Sequence, residues 1–309
     1  MSEQHKIVIR GSAVGDDRIS GHVFRDLLDV LVEGSERALR FYIDGRSTAR
    51  GTQPGWIRSA ADFQLVRGVE GDAGTAIVEA RPLIETMPER FQQSELFSDV
   101  DPALSPIELF ENALEDALAG NEDSDRFDLA LLKTIEKLEG LIAHGVDQVE
   151  LVNGRTIKVD RAALAQAHRV SQKAFAPQRV KVAGRLEAIR YSGCRFTLVT
   201  ADGVQLSGVA VDLGPEALSN HFGEEVVVTG TAVFRASGFP LRIEAARIQR
   251  ASAEQISLWS AVPKPLLAPK SRAAASSAQR AKGGLAAVFG KWPGDESDEE
   301  IAAALAALS

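Results

Sequence analysis

The side chains of this 309-residue chain that could do chemistry are five histidines, one cysteine and an acidic pair, and their spacing does not assemble them. His5, His22, His144, His168 and His221 are scattered, none at metal-ligand spacing from another, so each is expected on the surface or at a helix end. Cys194 stands in Tyr-Ser-Gly-Cys-Arg with no identifiable base, which makes it a small apolar filler rather than a nucleophile. A single cysteine also excludes an internal disulfide and a cysteine-based zinc site. Asp16-Asp17 precedes a helical pattern and favours its dipole without any metal. There is no Walker-type phosphate loop, no HExxH, no GxSxG and no strand-GxGxxG-helix unit. The expectation is a binding protein, not an enzyme, with no catalytic residue, metal or cofactor.

The binding chemistry concentrates at the C-terminus, in GKWPGDESDEEIAAALAALS. Ser297-Asp298-Glu299-Glu300 is a capping box, the serine hydroxyl accepting from the Glu300 N–H while the Glu300 carboxylate reaches back. Ile301, Leu305 and Leu308 then recur at i, i+4 and i+7, one narrow apolar stripe on about three turns, a length that is marginal for an isolated helix. Upstream, Leu285, Val288 and Phe289 form a second apolar patch, and Trp292 stands between the two. An aromatic anchor flanked by helical leucines is the pattern of helix-in-groove recognition. Asp295 and Glu296 add charge beside the anchor.

The segment from Phe289 to Glu300 resembles the C-terminal stretch of bacterial antitoxins paired with PIN-domain ribonuclease toxins, in which Trp-x-Gly-Asp-Glu-Thr/Ser-Asp-Glu-Glu precedes a short leucine-bearing helix. The resemblance covers about twenty-five residues and implies a PIN-domain partner. Residues Leu285, Val288, Phe289, Trp292, Ile301, Leu305 and Leu308 would fill a groove beside the nuclease site. Asp295 and Glu296 would pair with cations that otherwise hold RNA phosphates. Antitoxins of this kind usually carry a DNA-binding domain; this chain has a far larger body and no identifiable helix-turn-helix.

The elements that must position this chemistry fall into four regions. Residues 1–175 read as a mixed α+β domain. KIVIRG is a strand. A helical pattern runs from Ile19 to Asp44, with Gly34 as a break, and two strands flank Gly71-Asp72-Ala73-Gly74. Two helices lie between Pro106 and His144, Asn153-Gly154 joins a hairpin, and Asp160 caps a last helix ending near Lys173. Residues 178–252 read as strand-strand-strand-helix-strand-strand, with Pro215 in the helix's first turn; that is the order of an OB-fold, a five-stranded barrel. Residues 263–283, rich in Ala, Ser, Pro and basic side chains, are expected to be a flexible linker, and 284–309 the partner-binding segment.

The net charge of −8 argues against a nucleic-acid-coated surface, but the charge is uneven. Thirteen acidic residues lie between Glu85 and Asp128 against Arg90 and Arg126, a block expected to be solvated. The barrel region carries nine basic and seven acidic residues, so a second reading is an OB-fold nucleic-acid binder whose tail recruits a partner. There Tyr191, Phe196, Phe234 and Phe239 would stack bases and Arg190, Arg195 and Arg235 would meet phosphates. No run of about 18 apolar residues occurs, and the N-terminus lacks a signal-peptide pattern. A cytoplasmic protein without a membrane partner is therefore expected.

Overall fold

The computed structural model describes residues 3–15, 18–49, 51–68, 74–91, 101–190, 193–210 and 212–266. In chain order the first part holds β1 (Glu3–Arg10), β2 (Val14–Gly15), β3 (Arg18–Ile19), α1 (Gly21–Asp44), α2 (Gly55–Ala60), β4 (Phe63–Gly68), β5 (Thr75–Ala80), α3 (Leu83–Thr86) and α4 (Pro88–Phe91). It continues through α5 (Pro106–Leu118), α6 (Leu129–Glu136), α7 (Glu139–Ala143), β6 (Gln148–Asn153), β7 (Arg155–Asp160) and α8 (Arg161–Gln172). The second part holds β8 (Gln178–Arg190), β9 (Arg195–Val199), β10 (Gln205–Val209), α9 (Gly214–Ser219), β11 (Glu225–Phe234), β12 (Pro240–Arg250) and α10 (Ala253–Trp259). The fold class is α+β.

Strands β4-β5-β1-β6-β7 form one antiparallel sheet. Alternation decides its buried face. His5, Ile7 and Ile9 of β1 point to the side taken by Ala76 and Val78, by Val149 and Leu151, and by Ile157 and Val159. The long helix α1 packs Val23, Leu27, Val30, Leu31, Leu39 and Ile43 into the same core, at the three-and-four spacing of an amphipathic helix. α5 starts on a capping box, with the Ser105 hydroxyl and N–H exchanging bonds with Glu108, and buries Ile107, Phe110 and Leu114. Asp160 accepts from the Ala163 N–H and caps α8 as its sequence position implies.

Gly34 does not break α1. A Cβ there would stand 2.5 Å from the Phe110 ring, so the glycine marks where α5 crosses closely over an uninterrupted helix. The single helix expected across Leu129 to Ile142 divides into α6 and α7, and α10, started by a Ser252–Gln255 capping box, was not foreseen.

Strands β8 to β12 close into a barrel in the order β8-β9-β10-β12-β11, with β10 and β12 parallel and every other pair antiparallel. β8 does double duty, its first half pairing β11 and its second half β9. Val182, Leu186, Phe196, Leu198, Leu206, Val226, Val228 and Ile243 fill the interior. Gly208 lies directly opposite Phe196, and a Cβ at that glycine would overlap the ring. The two regions that the sequence divides near residue 176 belong to one compact unit, which ends at Leu266.

Candidate functional site

The contact between sheet domain and barrel is built from the acidic block. Asp128 caps α6 through the Leu131 N–H, accepts from the Ser47 N–H at 3.1 Å and hydroxyl at 2.5 Å, and receives Arg242 of β12 at 3.3 Å. Both ion-pair side chains are under a tenth exposed, and Arg242 also meets Glu244 at 2.9 Å. Nearby, Asp123 accepts from Arg235 through its carbonyl and from the Ser237 hydroxyl through its carboxylate, each at 2.8 Å. The Ser237 N–H reaches the Glu122 carbonyl, and Lys173 pairs with the Glu122 carboxylate. The Phe175 ring meets Phe234 edge-on, centroids 6.4 Å apart. The expectation of a solvated acidic face is thus corrected: part of the block docks the barrel, and Glu111 is buried against His5.

This seam reassigns most of the nucleic-acid candidates. Phe196 is 3 % exposed inside the barrel and offers no face to a base. Phe234 is likewise buried. Arg195 donates to the Tyr42 carbonyl at the end of α1, and Arg235 is spent on Asp123 and on the Phe239 ring, 5.5 Å away. Of the three arginines proposed for phosphates, only Arg190 lines open space without a side-chain hydrogen-bond or ion-pair partner among the described residues. It stands beside Ala188, Thr197 and Ser207 on the outer barrel face, near the exposed ring of Phe222. Tyr191 lies outside the described residues.

Among the described residues no group of three or more His, Cys, Asp or Glu side chains could hold a metal ion. His5 is not the surface residue expected; it is fully buried, with Nδ1 2.9 Å from the Glu111 carboxylate and Nε2 without a partner among the described residues. His168 lies between Glu136 and Glu139, and His221 beside Glu224. Arg250, more than His221, holds the Glu224 carboxyl below the usual carboxylate range. Burial, reinforced by Asp44, pushes the Cys194 thiol up, which disfavours the reactive thiolate. The Thr200 hydroxyl holds Asp202 low in the β9–β10 turn, a local bond of the turn itself.

No protein-family model matches the chain, and no curated protein and no solved structure is significantly similar to it. No described helix is long and apolar enough to cross a membrane. The residues expected to bind a partner, Leu285, Val288, Phe289, Trp292, Asp295, Glu296, Ile301, Leu305 and Leu308, lie outside the described residues, as do the expected Ser297 capping box and Asp16-Asp17.

What the sequence reading missed is the seam and the cleft beside it. Phe41, Leu104 and Leu109 share an open space with Arg126, Arg190, Arg195 and Ser207, although these residues come from α1, α5, the loops beside them and three barrel strands. One signal was available: a dense acidic run followed by a domain with a basic excess is what two docking surfaces look like in one chain.

Proposed function

We propose that the chain is an antitoxin-like cytoplasmic protein that binds and neutralises a PIN-domain ribonuclease toxin through residues 284–309, without catalysing a reaction itself. The observation that carries this reading is the string Trp292-Pro293-Gly294-Asp295-Glu296-Ser297-Asp298-Glu299-Glu300, followed by the stripe Ile301, Leu305, Leu308. Trp292 seats in the toxin's groove, the apolar stripe lies along it, and Asp295 and Glu296 occupy the cations that would hold RNA. The body supports this division of labour, because Arg195, Phe196 and Arg235 are already engaged within it. We read the barrel as OB-like; its order β8-β9-β10-β12-β11, with α9 before the fourth strand, supports that reading. In this role the barrel is a structural element.

The test is a binding titration of the full chain against the PIN-domain protein with which it co-purifies from its native host. Truncating a central aromatic anchor costs about 2 kcal/mol or more, so Trp292→Ala is expected to weaken binding roughly thirtyfold. Leu305→Ala costs less, since it removes a smaller side chain. Unchanged affinity for Trp292→Ala would overturn the anchor.

A further inference from the structure

Between α1 and α5 on one side and the end of β8 with the outer surface of β9 and β10 on the other lies a cleft of about 480 Å³. That is the size of a site for a small organic molecule. Phe41, Leu104 and Leu109 supply an apolar wall, and Arg126, Arg190 and Ser207 supply polar groups. Three arginines line it; Arg195 is held by the Tyr42 carbonyl, but Arg126 and Arg190 are not consumed by the fold. Arg190 has no ion-pair partner among the described residues. Arg126 reaches Asp116 only at 3.5 Å and is half exposed, leaving most of its donor fork available. In a chain of net charge −8, a half-apolar cleft with such guanidinium groups is an anion site against the general trend of the surface. The field limits what enters: Asp125 also lines the cleft, and it repels a second or third negative charge on a ligand.

We propose that this cleft binds a small organic monoanion with an apolar or aromatic body. Its acid group is held by Arg126 and Arg190 and its body lies against Phe41, Leu104 and Leu109. Every residue named for the site lies in the compact unit that ends at Leu266, and a ligand there joins the sheet domain to the barrel. Carboxylates and phosphate diesters share the required chemistry, since either carries one negative charge and offers paired oxygens to a guanidinium.

The probe is 8-anilinonaphthalene-1-sulfonate, an anion with an aromatic body, titrated by fluorescence into the full chain. One saturable site is expected. Removing a charged hydrogen-bond donor with Arg190→Gln should weaken it about tenfold or more, and Ser207→Phe, which fills the cleft from an exposed strand position, should abolish it. Indole-3-acetate displacing the probe assigns a carboxylate ligand, cyclic AMP displacing it a phosphate diester; displacement by neither overturns the proposed class. Binding of equal strength to the wild type, Arg190→Gln and Ser207→Phe, all with unchanged thermal melts, places the probe elsewhere and overturns the site. So does the absence of saturable binding.

Discussion

Asp128 accepts from four donors with two oxygens, and the loss of one side chain would be felt in three places. Replacing it with alanine uncaps α6, leaves the Ser47 N–H and hydroxyl without their acceptor, and removes one of the two carboxylates that compensate buried Arg242. Breaking a buried pair on one side typically costs 3–5 kcal/mol. Glu244 remains beside the guanidinium, so Asp128→Ala is expected to destabilise by about 3 kcal/mol, near the lower end of that range. Urea unfolding gives the number. Asp128→Asn should cost less, because it keeps an acceptor for the cap and for Ser47 while losing the charge. If the two variants proved equally damaging, charge would not matter at this site. The residue also shows why the site was poorly legible. In sequence Asp128 is one acid among thirteen between Glu85 and Asp128, and only its position before a helical pattern hints at a cap. Its partners Ser47 and Arg242 lie 81 and 114 residues away, beyond any spacing rule.

At the scale of elements, what was legible is what is local. The Asn153-Gly154 hairpin, the Asp160 cap and Pro215 in the first turn of α9 are each decided by neighbours within a few positions, and each stands where its sequence places it. Gly34 shows the opposite case. Its helix propensity argues for a break, and tertiary packing overrides it, because the Phe110 ring occupies the space of a side chain. Gly34→Ala therefore sets two effects against each other. Helix propensity favours alanine by about 1 kcal/mol, while overpacking a close crossing costs about 1–3 kcal/mol. With the Phe110 ring 2.5 Å from the added Cβ and the ring itself fully buried, the clash wins, and the melting temperature should fall. Phe110→Leu alone creates a cavity, yet in the Gly34→Ala background it should cost less than alone, because it relieves the clash. Strict additivity of the two substitutions would mean that α1 and α5 do not meet through this pair.

The whole molecule poses the question of whether sheet domain and barrel are two bodies or one. Their compositions differ, and the change near residue 176 reads as a domain boundary. Folded, they share one compact unit to Leu266, joined by the Asp128–Arg242 pair, by Asp123 with Arg235 and Ser237, by Arg195 on the Tyr42 carbonyl, and by Phe175 against Phe234. Such a seam couples unfolding if its free energy exceeds the stability difference between the parts. The chain carries its own reporters: Trp56 in α2 packs on the sheet-domain core, and Trp259 in α10 lies beside barrel strand β8, its ring under Lys181 at 4.6 Å. With Trp292→Phe as background, adding Trp259→Phe leaves a signal from the sheet domain, and adding Trp56→Phe one from the barrel. In urea the two signals should fall at the same midpoint and with the same slope, the signature of a single cooperative transition. Adding Asp128→Ala should lower both midpoints together if coupling survives, and separate them if the buried pair carries most of it. Two distinct midpoints in the parent background would show that barrel and sheet domain unfold independently and that the seam is a loose contact.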